Sequence, residues 1–258
     1  MSDKSPWLVG KTLPGVPKVR LYCFPHSGGL PGEYVRWGRE LPGVQVYGVC
    51  PPGRGERVAE TPAASMRELV ERFLAETDLT PPFVLFGHSL GALAAFEVAR
   101  ELAVQGRPLP DRLIVSAYAA PHLPRTASNL HALPDASLAK AIGERYGAIP
   151  AHVMADPELL ALLLPAFRAD FTLLETYLHR PGSPLTVPLE VFGADGDAVP
   201  LEKLERWRDH TTSDFRLHRF AGGHFYFREN PRALIEVLGA ILGGGGSASG
   251  SDPARSWD

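Results

Sequence analysis

The sequence predicts an α/β fold: a mostly parallel central sheet with helices on both faces and a helical insertion over one edge. Three observations predict it. Short runs rich in Val, Leu and aromatic residues alternate with helical patterns along most of the chain. Strands separated by helices imply right-handed crossovers, which make parallel pairs covered on both faces. Between residues 119 and 187 the alternation stops and only helical patterns remain.

Taken in order, "KVRLYCF" (18–24) and "VQVYGVC" (44–50) read as strands. "SMRELVERFLAETD" (65–78) reads as an amphipathic helix. Ser65 and Glu68 have capping-box spacing, and Met66, Leu69, Val70, Phe73 and Leu74 share one face. "FVLF" (83–86) is the next strand, followed by a helix from Leu90 to Gln105 that Gly106 ends, and by strand "RLIVSAY" (112–118). Inside the insertion, "DASLAKAIGERY" and "DPELLALLLPAFRADFTLLETYLH" are helical, the second bent or broken at Pro165, and no strand is expected. The alternation then resumes: strand "PLEVFG" (188–193), helix "LEKLERWRDH", strand "FRLHRF" (215–220) and a final helix "PRALIEVLGAIL" with proline in its first turn. The insertion is expected to act as a lid over the carboxyl edge of the sheet, where open α/β sheets bind ligands. Residues 1–242 thus read as one domain with a lid at about 119–187, and residues 243–258 as a flexible Gly/Ser-rich tail.

Bulk properties exclude several classes. A net charge of −3, with 45% hydrophobic and 21% charged residues, gives no case for a nucleic-acid or membrane-surface partner. No stretch approaches the roughly 20 apolar residues that span a bilayer, and "MSDKSPWLVG" lacks the features of a secretion signal. Cys23 and Cys50 end apolar strand-like runs and read as buried thiols rather than a bridge or a metal pair. A cytoplasmic protein, monomeric by default, is expected.

The chemistry centres on "GHSLG" (87–91). The pattern alone is weak, but here it joins the end of a strand to the start of a helix, which is the setting of a nucleophile elbow. Ser89 is therefore read as a nucleophile rather than a helix cap, with the Leu90 N–H aimed at a developing oxyanion. A serine hydroxyl needs a base, itself oriented by a carboxylate, in the chain order Ser, Asp/Glu, His. Of nine histidines, His224 in "AGGHFYF" stands in a glycine-cleared loop after a core strand and is taken as the base. His88 is read as structural, His26 as part of another motif, and His218 as a strand position. The acid is expected in "GADGDAVP" after the preceding strand, as Asp195 or Asp197; the "DAVP" step favours Asp197. "LYCFPHSGG" supplies the early-strand loop from which the Ser27 N–H would be a second oxyanion donor.

Four stretches together, "FPHSGG", "PPGRGER", "GHSLGA" and "GGHFYF", resemble the type II thioesterases that accompany polyketide and nonribosomal peptide synthases. The resemblance runs from about Leu21 to Leu242. It implies an α/β-hydrolase fold with a helical lid and hydrolysis of acyl groups from the phosphopantetheine arm of acyl or peptidyl carrier proteins. It also implies a triad of Ser89, His224 and the loop aspartate, oxyanion donors at the N–H groups of Ser27 and Leu90, and no metal or redox cofactor. The acid loop departs from the usual glycine–two residues–aspartate spacing, because Asp195 lies two and Asp197 four residues beyond Gly193. Arg54 and Arg57 of "PPGRGER" are read as loop-fixing charges rather than phosphate ligands. The leucines around Leu159 to Phe167 either line an acyl tunnel or form the lid's own core. Two other readings are a small-molecule carboxylesterase or lipase-like hydrolase, and a non-catalytic carrier-protein-binding module.

Overall fold

All six expected strands form, joined by one more among the described residues. The computed structural model describes residues 5–125, 128–146 and 154–243; the expected tail beyond Gly243 and His152 lie outside them. The strands are β1 Leu8–Gly10, β2 Val19–Phe24, β3 Val44–Val49, β4 Phe83–His88, β5 Arg112–Ser116, β6 Leu189–Ala194 and β7 Phe215–Phe220. They lie in the order β1-β3-β2-β4-β5-β6-β7. Only β1 runs antiparallel to its neighbour. Three residues are too few to make a strand pattern, which is why β1 is not visible in the sequence.

Side-chain alternation assigns the two faces. Tyr22, Phe24, Phe83, Leu85, Leu113, Val115 and Val191 point to one layer, closed by helices α2 (Met66–Glu76) and α3 (Leu90–Val104). Leu21, Cys23, Phe86, Ile114 and Phe192 point to the other, closed by α1 (Pro31–Val35) and the C-terminal helix Pro231–Gly243. Both cysteines are free and buried, and burial pushes both thiols upward in pKa.

The caps follow the sequence with one displacement. Ser65 Oγ accepts the Glu68 N–H at 3.2 Å, while Glu68 accepts from Ala64 N–H at 2.9 Å, one residue before the usual reciprocal position. Gly106 adopts φ 62°, and Arg107 N–H closes onto the Leu102 carbonyl at 3.0 Å, ending α3.

The insertion contributes α4 (Asp135–Tyr146) and α5 (Pro157–Thr176). Of the two expectations at Pro165, a bend or a break, the break does not occur: α5 is continuous through it. Leu164, Phe167 and Phe171 are buried against Leu130, Leu138 and Ile142, and this packing holds the turn that proline weakens. No strand forms among the described residues of 119–187; Leu185 makes a single bridge to Thr211. The stretch "LEKLERWRDH" is shorter in α-helix than expected: α6 covers Leu201–Glu205 and the rest, Arg206–His210, is 3₁₀. Helices α7 (Tyr226–Glu229) and α8 (Pro231–Gly243) are the last among the described residues. No helix among the described residues is long and apolar enough to cross a membrane.

Candidate active site

Two glycines answer why a serine stands where β4 turns into α3. A Cβ on Gly87 would lie 2.0 Å from the Gly91 carbonyl oxygen, and one on Gly91 would lie 2.0 Å from that of Phe24. No side chain fits either place, so strand and helix can approach closely. Between them Ser89 is held at φ 54°, ψ −117°, a conformation costing on the order of 1–3 kcal/mol that only its surroundings maintain. Its N–H is anchored on the Ser116 carbonyl at 2.8 Å. Leu90 is the first residue of α3, so its N–H belongs to the group that a helix leaves without an internal acceptor.

Beyond β6 and β7 the two candidate acids diverge. The Asp197 side chain is 2% exposed and sets its carboxylate on His224 Nδ1, at 3.1 Å and 3.0 Å to its two oxygens. Asp195 is 53% exposed and turns outward to Arg219. Ser89 and His224 line one narrow pocket with Ser27, His26 and Phe225, roofed by Ile142, Phe167, Phe171 and Leu174. The lid leucines divide. Phe167 faces this pocket, Leu164 packs inside the lid, and Leu159 and Leu162 stay substantially exposed.

Three other described histidines have structural partners. His88 Nδ1 meets Ser116 Oγ at 2.8 Å, and that hydroxyl meets the Tyr226 hydroxyl at 2.6 Å. Burial drives His88 well below the ordinary imidazole range, with the nearby His224, His26 and Arg228 adding to it, so it stays neutral. His26 is also pushed down by burial and by Arg228. Arg228 donates to its Nε2 at 3.0 Å, which leaves Nδ1 to donate to the Tyr34 hydroxyl at 2.9 Å. His218 bonds to Glu190 at 2.7 Å.

"PPGRGER" fixes loops, as its charges suggest. Arg57 is buried, stacks 4.4 Å from the Trp7 ring and bonds Glu60 through both Nε and a terminal nitrogen. Arg54 is paired with Asp170 of α5. The same carboxylate accepts the Gly28 N–H at 2.7 Å, tying the loop after β2 to the lid. Sequence reasoning missed Asp170, yet a signal existed: a carboxylate at the spacing of Phe167 and Phe171 sits on the buried stripe of α5 and must have a partner.

An open parallel sheet with a serine elbow at its carboxyl edge, a His–Asp loop pair beside it and a helical roof defines the α/β-hydrolase class of hydrolases. Residues 19–242 match the Thioesterase domain family, and the chain belongs to it, a family of hydrolases that act on thioesters. It is 40% identical to thioesterase PikA5 of Streptomyces venezuelae, over 82% of this chain and 76% of that protein. It is 32% identical to the gramicidin S biosynthesis protein GrsT of Aneurinibacillus migulanus, over 92% and 94%. Among solved structures it is similar to the type II thioesterase BorB from the borrelidin biosynthetic cluster, with 36% identity, coverage of 87% and 92%, and a TM-score of 0.79. The α/β-hydrolase expectation is met by the fold of that neighbour.

Proposed function

We propose that this thioesterase hydrolyses acyl thioesters from the phosphopantetheine arms of acyl or peptidyl carrier proteins of a polyketide or nonribosomal peptide synthase, an editing reaction. The observation that carries the reading is the Asp197–His224 contact beside a serine held in a strained elbow. The relatives support it from outside, being named for biosynthetic clusters and for thioesterase activity.

An Nδ1–H donated to Asp197 leaves Nε2 of His224 as the basic nitrogen. Ser89 attacks the thioester carbonyl while His224 takes its proton. The backbone N–H groups of Ser27 and Leu90 hold the oxyanion in the low-dielectric pocket. The C–S bond breaks, the leaving sulfur takes the proton from His224, and an acyl-Ser89 remains. Water, deprotonated by His224, then releases the acid and regenerates the serine. No cofactor enters beyond the phosphopantetheine on the substrate. Residues 1–242 act as one catalytic domain whose insertion, about 119–187, roofs the acyl site. It works as a cytoplasmic monomer.

Intact-mass analysis tests this directly. Carrier protein loaded with acetyl, propionyl or longer groups is incubated with wild type and with Ser89→Ala. Loss of acyl mass only with the wild type, by a factor on the order of 10⁴ or more in rate, is expected. Retention on several carriers with both proteins sinks the reading. Free short esters cleaved far faster than carrier thioesters would move it to a carboxylesterase.

A further inference from the structure

The motif "PPGRGER" and the lid meet at a place that the hydrolytic steps leave unused. The Arg54–Asp170 ion pair has side-chain exposures of 5% and 2%. One carboxylate oxygen of Asp170 takes Arg54, and the other accepts the Gly28 N–H at 2.7 Å. The second terminal nitrogen of Arg54 points to the Gly29 carbonyl at 3.4 Å. Buried pairs are poor stabilisers, because desolvation offsets much of their attraction. What this one orients is therefore the better guide to its role.

The loop it grips is the one expected to hold the oxyanion. Gly29 N–H closes onto the His26 carbonyl at 2.8 Å, with Ser27 and Gly28 in the middle and Gly28 at φ 71°. That is the pattern of a type II turn. The central peptide of that turn, Ser27–Gly28, carries the N–H that Asp170 accepts, and the Ser27 N–H lies on the peptide immediately before it, so the bond to Asp170 fixes the corner from which Ser27 presents its N–H. Asp170 lies on α5, not on the sheet. A second contact joins the same two pieces, since a Cβ on Gly28 would lie 2.2 Å from the Phe167 ring, one turn earlier on α5. Phe167 roofs the Ser89 pocket.

We infer that Asp170, backed by Arg54, is a positioning residue that locks the Ser27–Gly28 turn in its working orientation, so that the oxyanion site is complete only while α5 is seated. The inference rests on the hydrolytic reading above. Asp170 touches no reacting atom. Without α5 in this place the Gly28 N–H has no acceptor, so acyl transfer requires the seated lid. Lid seating and oxyanion stabilisation thereby become one event.

The test uses the full chain as wild type, Asp170→Ala, Asp170→Asn and the double variant Arg54→Gln/Asp170→Asn. The substrate is the propionyl thioester of N-acetylcysteamine, which requires no carrier docking. Reactive sites are counted by labelling Ser89 to completion with a fluorophosphonate, so that kcat refers to folded nucleophile. For Asp170→Ala, kcat per labelled site is expected to fall roughly 10²-fold with little change in KM, as for a misplaced oxyanion donor. Asp170→Asn falls less, about tenfold, because its amide oxygen still accepts the Gly28 N–H. The double variant removes the stranded charge, recovers labelled sites and Tm, and does not recover kcat. A purely structural role gives the opposite pattern: fewer labelled sites, lower Tm and unchanged kcat per site. If kcat per site in Asp170→Ala and in the double variant stays within about threefold of wild type, the inference is overturned. Should Asp170→Ala fail to fold, Arg54→Gln/Asp170→Ala, which removes the Gly28 acceptor and the stranded charge together, decides in its place by the same threefold criterion. A wild type without Ser89-dependent thioester turnover overturns the hydrolytic reading and this inference with it; normal wild-type turnover with unaffected variants overturns only the inference.

Discussion

The carboxyl edge of the sheet and the lid above it are built by different means. At the edge, main-chain sterics do the positioning: Gly87 and Gly91 leave no room for a Cβ, and Ser89 is anchored through its own N–H to Ser116. The lid is held by side chains. Glu175 accepts from the Ser128 hydroxyl, from the N–H groups of Leu130 and His131 and from the His131 ring. Arg168 bonds the His131 carbonyl and Asp135, and Asp170 reaches Arg54 and Gly28. Backbone sterics give one rigid arrangement. Side-chain ties can be released singly, which backbone sterics cannot.

The strongest way to probe the rigid half is the acid loop, where two aspartates two residues apart face opposite surroundings. Asp197→Asn is expected to lower kcat by on the order of 10⁴, because an amide does not enforce the imidazole tautomer as a carboxylate does. Asp195→Asn, which gives up only an exposed pair with Arg219, should leave kcat nearly unchanged and cost at most about 1 kcal/mol of stability. Steady-state rates of the two variants, measured side by side, check both. Equal losses would mean that the loop, not the buried carboxylate, is what His224 needs.

This contrast also explains what was legible in the sequence. The alternation of strands and helices is local, so six strands, the faces of α2 and the stop at Gly106 could be read directly. Ser89 and His224 could be brought to one edge because each follows a core strand in a chain order that parallel topology dictates. The choice between Asp195 and Asp197 turned on side-chain direction. That is set by long-range bonds, Asp195 N–H to the Phe220 carbonyl and the Asp197 carboxylate to His224, which no local pattern displays. Asp170 was harder still: its partner Gly28 is 142 residues away. The unbroken α5 shows tertiary packing overriding a local signal at Pro165.

In the lid, Glu175 offers the middle-sized test. Burial alone would favour its neutral form. The hydrogen bonds from Ser128, His131 and Leu130 outweigh this and hold its pKa below the ordinary 4.5. A carboxyl lowered in the folded state adds stability above its unfolded pKa and loses it as pH falls through the folded value. Glu175→Gln should therefore lower stability at pH 7 by about 1–3 kcal/mol, and the gap from wild type should shrink as pH drops below 4.5. Thermal melts of both proteins across that range provide the check. A gap that stays constant with pH would show that Glu175 contributes shape and not charge.

The smallest effect is expected on the lid's outer surface, and it resolves the leucine-rich stretch into two populations. Leu162 is 55% exposed, whereas Phe167, five residues later, is 4% exposed and roofs the Ser89 pocket. Hydrophobicity alone does not separate them; their places around α5 do. Leu162→Ala removes little buried surface, so its stability should stay within about 0.5 kcal/mol of wild type. Its relative rates on acetyl and longer acyl carriers should likewise be unchanged. Phe167→Ala in the same competition assay should raise the rate on longer chains relative to acetyl, because it opens space above Ser89. A shifted chain-length preference in Leu162→Ala would place the outer leucines on the acyl path, and the lid would then have to present a different face of α5 to the substrate when it moves.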